Sequence, residues 1–136
     1  MQFVHVRRYM TKSPLTIDRH LPLKAAEKMM LEHHIRHLPV LDGEKLAGMV
    51  ALPELSFLAA LRGLDPEHLP VGEIATRAPY AVAPEADLYQ VVEYFLEHKE
   101  SAAVVLEEGK VVGVLTLIDA LRALMDLLAE SRRVLK

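Results

Sequence analysis

Apolar residues recur along the chain in two alternating rhythms. Leu23, Ala26 and Met30, and again Leu88, Val91, Val92, Phe95 and Leu96, follow the i, i+3, i+4, i+7 spacing of a helix with one buried face. Ahead of each stretch a short extended piece follows a proline, Leu15-Thr16-Ile17 in one place and Tyr80-Ala81-Val82 in the other. Behind each come two short apolar runs, Leu38 to Leu41 with Leu46 to Ala51, then Ala102 to Leu106 with Val111 to Leu115. The turn formers between them, Asp42-Gly43-Glu44-Lys45 and Glu107-Glu108-Gly109-Lys110, predict two β-hairpins. Closing helices are expected from near Pro53 and near Leu117, the latter with a stripe through Leu117, Leu121, Leu124 and Leu128. Asp87 with Gln90 has capping-box spacing, and Pro22 suits a first helical turn.

The two rhythms are copies of one another. A shift of 65 positions, from Gly48 to Gly113, superposes Val6 on Val71, Thr11 on Thr76, Pro14 on Pro79, Leu31-Glu32-His33 on Leu96-Glu97-His98 and Leu52 on Leu117 without a gap. The expected organisation is repeat one over residues 1-62, a linker over 63-70 rich in turn formers, and repeat two over 71-136. A unit of about fifty residues is small for a self-sufficient core. The expected fold is therefore α+β, two βαββα repeats packed sheet to sheet with pseudo-two-fold symmetry, leaving two clefts of the kind that bind ligands.

Composition narrows the function. The 136 residues are 51% hydrophobic and 26% charged, a globular balance, and no apolar run reaches the roughly eighteen residues of a membrane span. The first residues show no export signal, so a cytoplasmic location is expected. A formal charge of −3 argues against a nucleic-acid binder working through a broad basic face. With no cysteine there is no disulfide, thiolate metal site or thiol nucleophile. The four serines, Ser13, Ser56, Ser101 and Ser131, lie in no nucleophile elbow, and no phosphate-binding P-loop motif is present. His33, His34 and His37 are close in sequence, but a helix ending near His34 does not carry the spacing through His37, and no metal site is expected.

The strongest local motif is Gly113-Val114-Leu115-Thr116-Leu117-Ile118-Asp119, a strand running into a helix. Thr116 and Asp119 have N-cap spacing, with Thr116 expected to accept from a backbone N–H and Asp119 to sit favourably near the positive helix end. The same pair suits the gripping of a vicinal diol, with free N–H groups favouring an anion nearby. Both roles are compatible.

Taken together, Tyr9-Met10-Thr11-Lys12-Ser13-Pro14-Leu15-Thr16, Ile35-Arg36-His37-Leu38-Pro39-Val40-Leu41-Asp42 and the Gly113 to Asp119 segment make the chain, from about Val6 to about Leu128, resemble a tandem CBS domain pair, or Bateman module. The resemblance implies adenine-containing ligands such as AMP, ADP, ATP or S-adenosylmethionine, with no required cofactor. It also implies frequent dimerisation. It puts the ribose contacts on Thr116 and Asp119 and the base contacts on Thr76, Pro79, Tyr80 and Ala81, with Ala102, Ala103 and Val104 lining the other side. Phosphate contacts fall on Arg36 and His37. Repeat one departs from the pattern, with Ala51 in place of the Thr and Glu54 in place of the Asp, so one good site per chain is expected.

The expected function is that of a stand-alone regulatory module, not an enzyme, that binds an adenine nucleotide and acts on a separate effector protein, as a homodimer and without nucleic acid or membrane. The alternative is a ligand-free dimerisation or interaction scaffold, with the leucine stripe of the last helix as its seam.

Overall fold

The computed structural model describes residues 3–52 and 60–134. The expected helix start at Pro53, and Glu54 and Ser56, lie outside that range; Ala60 and Leu61 are helical. The fold is α+β with two sheets. In chain order come a 3₁₀ turn (Val6–Arg8), β1 (Thr11–Lys12), β2 (Ile17–Asp18), α1 (Leu23–Glu32), β3 (His37–Asp42), β4 (Lys45–Ala51) and α2 (Val71–Ile74). They are followed by β5 (Ala81–Val82), α3 (Leu88–His98), β6 (Ala102–Glu107), β7 (Lys110–Thr116) and α4 (Leu117–Val134).

The chain divides into two compact units that do not coincide with the repeat boundaries at 62 and 71. One is Leu15–Pro79; the other is Met1–Pro14 together with Tyr80–Lys136. Each repeat gives its leading segment to the body of the other, because that segment pairs antiparallel with the other hairpin's outer strand. β1 adds to β7, with Thr11 opposite Val114, giving the order β1-β7-β6-β5. In the other unit Thr76 bridges Met49 of β4 through two hydrogen bonds of 2.8 and 3.1 Å, beside the order β2-β3-β4. The expected 63-70 linker packs down as well: Leu69 and Pro66 carbonyls accept from Leu23 and Lys24 at the start of α1, and Lys24 pairs with Glu67 at 2.9 Å.

Both cores obey the same 65-residue shift. Leu23, Ala26, Met30, Leu38, Val40, Val50 and the borrowed Val71 and Ala75 fill one. Leu88, Val91, Phe95, Ala103, Val105, Leu115 and the borrowed Val6 and Met10 fill the other. Volume is redistributed between them: one core holds Met30 with Leu38 where the other holds Phe95 with Ala103, so a bulkier helix residue accompanies a smaller strand residue. Positive φ recurs at matched places, Ser13 with Ala78 before the two prolines, His34 with Lys99 after the two helices, and Gly43 with Glu108 in the hairpins. The β-bulges at Val40/Leu41 and Val105/Leu106 match too.

The helix starts differ from expectation in detail. Pro22 is the N-cap of α1 rather than a residue of its first turn. Asp87 caps α3 by accepting from the Tyr89 N–H at 3.0 Å, one residue short of the capping-box position. Among the described residues no helix is long and apolar enough to cross a membrane.

Candidate functional site

β7 passes into α4 without a loop, so Thr116 ends a strand and Asp119 lies in the first turn of the helix. Asp119 is the buried charged residue of the described chain, 2% exposed. Its Oδ2 accepts from the Thr116 backbone N–H at 2.9 Å and from the Thr116 hydroxyl at 3.3 Å, and its Oδ1 accepts from Arg122 Nη1 at 3.2 Å. The backbone bond is the acidic half of a capping box, which offsets the cost of burying the carboxylate. The hydroxyl differs from expectation: Thr116 donates to Asp119, where a backbone N–H donor to its oxygen had been expected.

These contacts are exchangeable. The Arg122 side chain is 68% exposed and its pairing with Asp119 is the kind that water screens, while the 3.3 Å hydroxyl bond is long. A ligand diol can take both acceptor positions while the Thr116 N–H keeps the carboxylate in place, and the Thr116 oxygen retains lone pairs for a ligand donor. In repeat one the equivalent strand end is Ala51, directly opposite His37, where repeat two has Thr116 opposite Ala102.

The pleat sorts the other candidates. Residues paired across strands share a face, so Ala81, Ala102 and Val104 lie on the face of Thr116. Tyr80 and Ala103 point the other way, into the core with Leu88, Val91 and Phe95. The Tyr80 ring stacks on Tyr94 at 3.7 Å between centroids, Tyr94 stacks on His98 at 3.9 Å, and burial pushes the Tyr80 phenol above its ordinary pKa. The ring of Tyr80 is thus structural, although its carbonyl accepts from Val104 N–H at 2.9 Å.

Thr76, Pro79, Arg36 and His37 belong to the Leu15–Pro79 unit. The Thr-x-x-Pro segment that lies beside the intact Thr116 and Asp119 pair is instead Thr11 to Pro14: Thr11 sits opposite Val114, Lys12 opposite Gly113, and Ser13 N–H reaches Val112 O at 3.2 Å. Sequence reasoning missed this segment. Its signal was the repeat itself, since both repeats carry the motif and only strand pairing decides which copy joins which hairpin. His33, His34 and His37 are split between the end of α1, a left-handed residue and β3. Among the described residues no group of three His, Asp or Glu is placed to hold a metal.

The family model of the CBS domain matches residues 6–56 and 71–126. Hypoxic response protein 1 of Mycobacterium tuberculosis is 30% identical over 121 residues, covering 88% of this chain and 85% of that protein. An A-adding tRNA nucleotidyltransferase of Aquifex aeolicus is 31% identical over 122 residues, covering 89% of this chain but 14% of the enzyme. Among solved structures, that of Hypoxic Response Protein I with two coordinated zinc ions superposes with a TM-score of 0.77 at 27% identity, over 88% of this chain and 98% of that one. The CBS domain pair of protein MJ0100, in complex with 5′-methylthioadenosine and S-adenosyl-L-methionine, gives 0.82 at 23% identity, over 92% and 98%. With one match in each repeat and the predicted strand-to-helix motif in place, the chain belongs to the CBS domain family.

Proposed function

We propose that this chain is a regulatory module that binds an adenosine-containing small molecule at the β7–α4 junction, with Asp119 and Thr116 holding the ribose diol. The observation that carries this is the buried Asp119 carboxylate, oriented by the Thr116 N–H and, among the described residues, bonded otherwise to a hydroxyl and an exposed guanidinium. The complex of the MJ0100 domain pair with two adenosine derivatives supports the ligand class. Ala81, Ala102 and Val104 supply apolar contact from the same sheet face, and the Thr11 to Pro14 segment borders it.

Binding, rather than turnover, is the proposed output, so ligand incubated with the protein is recovered unchanged. Occupancy favours whichever conformation binds the ligand more tightly, and an effector protein reads the shift. Titration calorimetry with 5′-methylthioadenosine, S-adenosylmethionine, AMP and ATP tests the reading. Removing the hydroxyl in Thr116→Ala costs about 1–3 kcal/mol of binding, roughly a five- to hundredfold loss. Unchanged affinity in both Thr116→Ala and Asp119→Ala sinks the site.

A second reading, a dimerisation scaffold indifferent to nucleotide, is favoured by one feature. Leu117, Ile118, Leu121, Leu124, Met125 and Leu128 of α4 are each 45–68% exposed, a contiguous apolar stripe of the kind that marks an interface. A homodimer seam along α4 is compatible with either reading.

A further inference from the structure

The segment leading into and through β1 carries a second concentration of chemistry. Phe3, Val4, His5, Arg7, Arg8 and Lys12 line an open cavity of about 550 Å³, within the size range of small-molecule sites. We propose that this cavity binds a polyphosphate group, independently of the adenosine site proposed above.

The backbone under the cavity is fixed. Val6 is fully buried, Val6 and Arg7 N–H groups donate to Ala86 and Pro84 at 2.9 Å, and Leu88 N–H donates to Val4 O at 2.8 Å. Pairing of Lys12 with Gly113 in the β1–β7 ladder anchors the other end. The lining side chains are therefore exposed but mounted on a rigid frame.

Their charge is one-sided. The first acidic residue of the chain is Asp18, so the whole lining lies in an acid-free stretch of a protein whose formal charge is −3. Arg7 is held by Glu85 at 2.7 Å and Glu107 at 2.8 Å, which ties down one cation, while Asp87 lies opposite His5 across an isolated β-bridge. Among the described residues Arg8 and Lys12 have no carboxylate partner; the Arg8 guanidinium lies 5.4 Å from the centre of the Tyr9 ring. A single exposed ion pair contributes little, so a monoanion is not retained. A diphosphate or longer anion spans several cations at once and accepts the paired donors that arginine presents. Phe3, 75% exposed, offers a ring at the rim on which a nucleotide base can stack.

The test uses the full chain at low ionic strength, with inorganic pyrophosphate as probe and sulfate as control. Pyrophosphate is expected to bind more tightly than sulfate, to weaken about tenfold or more in Arg8→Gln/Lys12→Gln, and to weaken steeply with salt. Both substitutions are on the surface, and an unchanged circular dichroism spectrum and melting temperature confirm the fold. Asp119→Ala leaves pyrophosphate binding unchanged, and Arg8→Gln alone leaves 5′-methylthioadenosine binding unchanged, which separates the two sites. ATP with Asp119→Ala distinguishes the sources. Affinity equal to that of pyrophosphate assigns the site to polyphosphate alone; tighter binding, abolished by Phe3→Ala, assigns it to a nucleotide. No detectable pyrophosphate binding, binding no tighter than sulfate, or binding unaffected in the double variant overturns the proposal.

Discussion

Gly48 and Gly113 occupy the same place in the two repeats, yet a methyl group added to each meets different neighbours. At Gly48 a Cβ would stand 2.7 Å from the Thr76 carbonyl oxygen and 3.0 Å from Ala75 Cβ. That carbonyl accepts the Met49 N–H and belongs to the bridge that attaches the borrowed segment to β4, so it has to retreat at the expense of its own hydrogen bonds. At Gly113 the nearest atoms are Sδ and Cγ of the buried but flexible Met10 side chain, at 2.5 and 3.0 Å, with the Thr11 carbonyl at 3.1 Å. Overpacking costs about 1–3 kcal/mol and a weakened backbone hydrogen bond about 1 more, which puts Gly48→Ala at roughly 2–4 kcal/mol. Gly113→Ala, relieved by a Met10 rotamer change, costs about 1 kcal/mol. The lower unfolded-chain entropy of alanine favours both variants equally, by about 0.4–1 kcal/mol, and cancels in the comparison. Urea unfolding of the two variants and the parent measures the difference directly, and in thermal melts each kcal/mol corresponds to roughly 3–5 °C. Equal losses, or a neutral Gly48→Ala, would refute the packing of Thr76 against β4.

Three further outcomes follow. Asp119→Asn preserves shape but weakens the bonds from Thr116 and Arg122, so it lowers stability by about 0.5–2 kcal/mol, the cost of a lost helix cap, as read by the urea midpoint. The Asp65 carboxylate, 2.6 Å from the His68 ring, raises the imidazole above its ordinary 6.5 while His68 lowers Asp65 below its ordinary 3.8. The His68 contribution is full below 6.5 and lost as pH rises through the raised value; that of Asp65 is full above 3.8 and lost as pH falls through the lowered one. An NMR titration is expected to show the His68 pKa falling in Asp65→Asn; no change would contradict the pairing. Replacing Leu121 and Leu128 by Glu puts charge into the exposed α4 stripe, and light scattering is expected to show twice the 15.2 kDa chain mass for the parent and the single mass for the variant.

Much of the fold was legible because the repeat doubled every signal. α1, α3 and both hairpins came from periodicity and turn residues that occur twice, 65 positions apart, while α4 and the Thr116 to Asp119 junction were read from repeat two alone. What the sequence hid was the exchange of leading segments. Thr11 and Thr76 present the same local pattern, and their assignment to β7 and β4 depends on pairing between distant residues that no local propensity encodes. The same limit applied to side-chain direction: Tyr80 and Ala103 look like site residues in sequence, and only the register of β5 and β6 places them in the core beside Phe95. The Thr116 hydroxyl matched its expected position but not its partner, because a buried carboxylate is a stronger acceptor of its proton than the geometry of a simple cap suggests.

The most direct test is titration of ligand-free protein with 5′-methylthioadenosine and S-adenosylmethionine, comparing the parent with Thr116→Ala and Asp119→Asn, each checked for folding. Binding by the parent at one site per chain, weakened about tenfold or more in both variants, is the expected result. Binding of equal strength in all three proteins, or no binding of either ligand to the parent, would contradict a diol-gripping role for the β7–α4 junction.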